Sequence, residues 1–189
     1  MTFGDKIQRA IENLKSVEDS YITEAEKAIV SLCEAFGKGR KLLVFGNGGS
    51  ASDAQHICGE LVGRFHFNRA GLPAIALGAD SAVMTALGND FEYSSVFARQ
   101  VEAHGQAGDV AWGISTSGNS DNVVLALERA RDRKLITIGL TGQGGGKMNA
   151  CCDILLKAPT LSTPEIQEIH QLTYHFICSE VERRLFKAI

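Results

Sequence analysis

Lys41-Leu-Leu-Val-Phe-Gly46 is a short apolar run without alternation, and Asn47-Gly-Gly-Ser50 ends it abruptly. Such a run has the character of a strand buried on both faces, as found where helices cover a parallel sheet. The glycines behind it let the backbone pass close to a ligand. Ala51–Val62 then reads as a helix, with Ser50 or Ser52 as its N-cap. A strand, a glycine turn and a helix N-terminus in that order present N–H groups and a positive dipole end to an anion.

The same pattern recurs along the chain. Pro73–Leu77, Asp109–Ile114, Leu135–Leu140 and Asp153–Lys157 are further strand candidates. Between them Ser81–Leu87 reads as a brief helix broken by Gly88-Asn-Asp90, and Ser94–His104 as another, with Val96, Phe97 and Val101 inward. A helix to about Arg133 follows Ser115–Ser120, and Thr163-Pro-Glu165 opens the last one, with Pro164 at a first-turn position that tolerates it. Strands alternating with helices predict an α/β fold with a mainly parallel five-stranded sheet and helices on both faces. Residues 4–37 lack proline and repeat apolar residues at helical spacing, as one long helix or two. A single domain over 1–189 follows, with N-terminal helices at 1–37 and a core at 41–189.

Composition removes several classes. A net charge of −3 gives no broad basic surface for nucleic acid. No apolar run approaches the roughly 20 residues of a membrane span, and the first residues carry no signal-peptide core. The five cysteines are odd in number and lack paired metal-site spacing, which suits free thiols in a reducing cytoplasm. Adjacent Cys151 and Cys152 read as the approach to a strand, not as a redox centre.

Chemistry concentrates beyond the strand ends. Ser115, Thr116, Ser117 and Ser120 place four hydroxyls in one turn before a helix, a good phosphate cradle. No P-loop lysine accompanies them, which argues against a nucleoside triphosphate. The Gly142–Gly146 turn is left outside the site. On the first core helix Ala54, Ile57, Cys58 and Leu61 form the apolar stripe, and Asp53, His56 and Glu60 lie off it. His56 and Glu60 are one helical turn apart and can share a metal ion or a substrate. On spacing alone the pair is equally an ordinary solvated face; its start at an anion-binding turn favours a site.

On the last helix Ile166, Ile169, Leu172, Phe176 and Ile177 make the expected core arc. Gln167, His170, Tyr174 and His175 fall outside it, a face less charged than solvent-facing ones usually are, which suits a cleft or a subunit interface. Gln167 and His175 lie roughly 12 Å apart along the axis. Spacing alone would pair Gln167 with His170 or Gln171, and it does not choose among them.

GNGGSASDAQHICGEL, ALGND, GISTSGNS and EIQEIHQLTYH, in this order, resemble the phosphoheptose isomerase family of sugar isomerase (SIS) domains over nearly the whole chain. The resemblance implies an SIS-type three-layer sandwich. It implies an aldose–ketose isomerase that converts sedoheptulose 7-phosphate to D-glycero-D-manno-heptose 7-phosphate through an enediol, for nucleotide-activated heptose and lipopolysaccharide core synthesis. Carried over by position, substrate contacts are Asn47, Gly48, Gly49, Asn89, Asp90, Ser115, Thr116, Ser117 and Ser120, with Glu60 and Gln167. The family's zinc ligands map to His56, Glu60, Gln167 and His175, one ion per subunit, and its acid/base pair to Glu60 and His175. Family members are cytoplasmic homotetramers with sites between subunits. One departure is Glu165, preceded by Pro164, where the family usually has an arginine. A related group of SIS proteins consists of non-catalytic regulators that bind a replication initiator. They keep the glycine and serine turns but lack the glutamate at position 60 and the histidine at position 175, and this chain has both.

Overall fold

In the computed structural model, which describes residues 1–186, Leu42–Gly46 (β1) lies between Ala74–Ala76 (β2) and Val110–Ile114 (β3). Ile136–Gly142 (β4) and Ile154–Ala158 (β5) extend the sheet beyond β3, giving the order β2-β1-β3-β4-β5 with every neighbouring pair parallel. All five residues of β1 and of β3 are buried. Their side chains therefore feed two cores. Leu42 and Val44 join Val110, Trp112 and Ile138 on one face, and Leu43, Phe45 and Ala111 point to the other.

Helices fill both faces. Asp19–Gly37 (α2), Gly49–Val62 (α3) and Thr163–Phe186 (α7) cover the first through Ile29, Leu32, Ile57, Leu61 and Ile177. Val96–His104 (α5) and Asp121–Asp132 (α6) cover the second through Phe97, Val101, Val123 and Leu127. The result is the expected three-layer sandwich. The chain runs from β1 outward to β2, then returns to β3 on the other side of β1. The gap between the carboxyl ends of β1 and β3 is thus the point where the winding reverses, where sheets of this type bind ligands.

The N-terminal region forms two helices, Phe3–Lys15 (α1) and α2. A Thr2/Asp5 capping box starts α1, which buries no residue. Ion pairs dock it instead: Lys6 to Glu168 at 2.9 Å and Arg9 to Glu165 at 2.7 Å, with Asn13 donating to Glu165 at 3.0 Å. Glu165 also accepts from Thr160 at 2.9 Å, so it ties α1 to the entry of α7. These bonds hold its carboxyl below the ordinary value, with burial opposing them.

Four expectations are corrected. Ser81–Asp90 (α4) runs through Gly88 instead of breaking there. Thr141-Gly142 belongs to β4, not to a turn. The N-cap of α3 is Gly48, and neither Ser50 nor Ser52 caps it. On α7, Leu172 and Phe176 are 56% and 55% exposed while His170 and Tyr174 are fully buried. That helix packs against both α2 and α3, so its buried arc is wide and rotated from the one its aliphatic residues suggest.

Candidate functional site

The turns after β1 and β3 meet side by side. Asn47 and Asn122 exchange two amide hydrogen bonds of 2.9 Å, and the Tyr93 hydroxyl donates to Asn47 Oδ1 at 3.2 Å. Gly48 adopts φ +56°, a conformation L side chains rarely take, and sends the chain straight into α3. No side chain caps α3 or α6, so two helix N-termini face this end of the sheet without a side-chain acceptor. In the second turn the Ser115 hydroxyl lies 2.9 Å from that of Ser120 and 3.4 Å from that of Ser117. These three hydroxyls gather beside the α6 N-terminus, an arrangement suited to an anion.

The Gly142–Gly146 segment, left outside the site on sequence grounds, buttresses this cluster. Gly142 N donates to Thr116 O at 3.0 Å, Lys147 N to Asn119 Oδ1 at 3.0 Å and Met148 N to Gly118 O at 3.1 Å. Gly118 has φ +65°, and a Cβ there would overlap the Gly145 carbonyl. The backbone approach is so close that only glycine fits.

Helices α3 and α7 run parallel, and their register assembles the rest. Gln167 lies against Gly49, where a Cβ would come within 2.5 Å of its amide nitrogen. Further along, Tyr174 meets Asp53 and His56, and His175 meets His56. The face expected to serve a cleft or an interface is turned onto α3 within one chain. His56 Nε2 is 3.1 Å from Glu60 Oε1 and 3.4 Å from His175 Nε2, and ligand atoms of all three residues lie within 4.8 Å of one another. Burial, then the His56 charge, lowers His175 below the ordinary imidazole range, with Glu60 opposing. Two imidazoles and a carboxylate converging this closely match the donor set of a borderline cation such as zinc.

His170 takes no part. It is fully buried, and its Nε2 donates to the Thr141 carbonyl at 3.1 Å. Burial lowers its pKa to about 4. Gln167 therefore does not pair with His170, and its carboxamide sits at Gly49, two turns of α3 before His56. Asn89 and Asp90 close α4, hydrogen-bonded to each other at 2.9 Å. They line a separate cavity of about 630 Å³ with Phe91, Arg99 and Arg129. A second cavity, of about 640 Å³, lies at the edge of the sheet, lined by Glu18, Tyr21 and Lys157 among others. Neither of these two cavities is lined by His56, His175 or the hydroxyl turn.

Sequence reasoning missed Asn122 and Tyr93, which brace Asn47, and placed Tyr174 on the off-arc face of α7 without its role beside His56. Asn122 is the second residue of its helix and Tyr174 sits on a face of mixed character, so only tertiary contact distinguishes them. The outward position of Asp53 beside His56 was the one available signal.

Comparison with known proteins places the chain and its fold. The SIS-domain family model matches residues 2–142. A phosphoheptose isomerase from Synechocystis sp. is 50% identical over 181 residues, covering 95% of this chain and 93% of that one. The solved phosphoheptose isomerase of Neisseria gonorrhoeae superposes with a TM-score of 0.90 at 38% identity, covering 95% and 96% of the two chains. That of Francisella tularensis gives 0.85 at 36% identity, covering 97% and 100%.

Proposed function

The chain belongs to the phosphoheptose isomerases of the SIS-domain family, and from that membership we propose that its site interconverts sedoheptulose 7-phosphate and D-glycero-D-manno-heptose 7-phosphate, a step of heptose synthesis. The observation that carries the reading is the meeting of Glu60 with His175 and His56 within 4.8 Å.

The chemistry sets the roles. Moving a carbonyl between C1 and C2 requires a base that takes a proton from one carbon and returns it to the next, through an enediol. A second group must pass a proton between the two oxygens. Glu60 is assigned as the carbon base and His175 as the group serving the oxygens, the same division of labour as between the carboxylate and histidine of triosephosphate isomerase. Ser115, Thr116, Ser117 and Ser120 hold the phosphate with the α6 N-terminus, which fixes the sugar at its far end. Asn47, Gly48, Gly49, Asn89 and Asp90 are assigned to the sugar between.

A metal fits the same point. His56 Nε2, His175 Nε2 and Glu60 Oε1 all face one another, and unless a proton intervenes they are three acceptors with nothing to accept. His56, Glu60 and His175 would hold Zn²⁺; Gln167, the fourth ligand by the family pattern, lies against Gly49 two turns away and does not reach this point within the chain. When bound, zinc supplies Lewis-acid polarisation of the sugar oxygens. A homotetramer is proposed on the same footing. Phe3, Leu161, Leu172 and Phe176 stand 80%, 79%, 56% and 55% exposed and are candidates for burial between subunits. Among the described residues no helix is long and apolar enough to cross a membrane, and all five cysteines are free, which supports a cytoplasmic location.

Coupled detection of heptose phosphate formed from sedoheptulose 7-phosphate tests the activity. Glu60→Gln is expected to abolish turnover while sugar-phosphate binding persists. Near-normal turnover in that variant would remove the assigned base.

A further inference from the structure

We propose that Asp53 and Tyr174 are a positioning pair that holds His56 in the Nδ1–H tautomer, with its Nε2 lone pair turned toward Glu60 and His175. The proposal rests on reading that point as a cation site, but its geometry stands on two hydrogen bonds. The Tyr174 hydroxyl is 3.3 Å from Asp53 Oδ1 and 3.0 Å from His56 Nδ1. One hydroxyl carries one proton. An ionised Asp53 only accepts, so the Tyr174 proton goes to Asp53 and the Tyr174 oxygen accepts from His56 Nδ1–H. The reverse assignment would cost more. Asp53 Oδ2 is already buried without a partner, and turning the hydroxyl away would orphan its second oxygen as well.

Placement reinforces the assignment. Tyr174 is fully buried, and its ring stands edge-on to His56 with centroids 5.4 Å apart and to His175 with centroids 4.8 Å apart. The hydroxyl is therefore fixed by packing, not by a mobile side chain finding its own partner. Outer partners of this kind fix the tautomer and orientation of a ligating imidazole, and their loss typically costs about 10–100-fold in metal affinity.

Two variants test the pair. Tyr174→Phe keeps the ring and removes the oxygen. It is expected to weaken Zn²⁺ binding about 10–100-fold in competition with a chromophoric chelator. Asp53→Ala leaves the hydroxyl free to donate to His56, so the metal-free protein, held above the imidazole titration range, should change from the Nδ1–H to the Nε2–H pattern in long-range ¹H–¹⁵N spectra of His56. Should Tyr174→Phe fail to fold, the Asp53→Ala spectrum decides alone. Unchanged zinc affinity in Tyr174→Phe together with an unchanged His56 tautomer in Asp53→Ala would overturn the proposal. A parent protein that binds no zinc but shows the tautomer change would overturn the cation reading and leave the positioning pair standing.

Discussion

Replacing Glu182 with Gln should cost this protein a large part of its stability. Glu182 is fully buried on α7 and accepts from three successive backbone N–H groups, of Phe65 at 2.9 Å, His66 at 2.6 Å and Phe67 at 3.1 Å. It also pairs with Arg69 Nε at 3.1 Å, whose side chain is 2% exposed. Burial pushes the carboxyl up, but the backbone bonds and Arg69 outweigh it and hold it below the ordinary range. Arg69 in turn donates to the carbonyls of Glu60 at 2.8 Å and Gly63 at 3.1 Å, and to that of Leu61, closing the last turn of α3. Glutamine keeps the shape and one acceptor but leaves a buried guanidinium without its counter-charge. Breaking a buried pair from one side costs about 3–5 kcal/mol. Against a total of roughly 5–15 kcal/mol that is a substantial fraction, and it corresponds to a fall in Tm of roughly 10 °C for a chain of this size. Urea unfolding at fixed protein concentration, followed by far-UV circular dichroism, measures it; the concentration must be fixed because subunit association would add to apparent stability. Because the same pair closes the helix turn that carries Glu60, the variant's kcat should fall further than its substrate affinity. A loss below about 1 kcal/mol would refute the reasoning, since it would mean the carboxylate charge is not compensating Arg69.

Acid should destabilise the fold through His170. The unfolded imidazole takes its proton near pH 6.5 and the folded one only at about 4, so the stability from keeping it neutral is complete above 6.5 and is lost as pH falls toward 4. Between pH 7.5 and 4.5 the parent should lose about 2 kcal/mol more in urea unfolding than His170→Gln; equal losses would clear His170. Gly118→Ala should weaken sugar-phosphate binding at least about tenfold in calorimetry, because the turn must abandon both its φ of +65° and its packing on Gly145; an unchanged Kd would show that the turn does not hold the phosphate. Glu165→Arg would set a third cation beside Lys6 and Arg9. Amides of α1 should then exchange with solvent much faster while those of β1 and β3 keep their protection, and unchanged exchange across α1 would show that other contacts hold it.

The architecture was legible where burial is two-sided. Leu42–Gly46 and Val110–Ile114 are apolar throughout because both faces of the sheet are covered, and that continuous pattern survives in one dimension. The turns at the carboxyl ends of β1 and β3 were legible for a related reason: Asn47–Ser50 and Ser115–Ser120 carry glycine and hydroxyl residues whatever the helices behind them do. His56 and Glu60 also share a face by local geometry alone, being one turn apart.

What periodicity does not contain is the neighbour a face meets. It shows that Gln167, Tyr174 and His175 stand off the aliphatic arc of α7, but not that α3 lies against them, running the same way. Only that parallel register carries His175 to His56 and Glu60, seats Tyr174 between Asp53 and His56, and leaves Gln167 at Gly49. The residue types at these positions were set by the chain; which of them meet was decided by how two helices pack on one sheet, because side-chain contacts between distant segments depend on three-dimensional register and not on spacing within either segment.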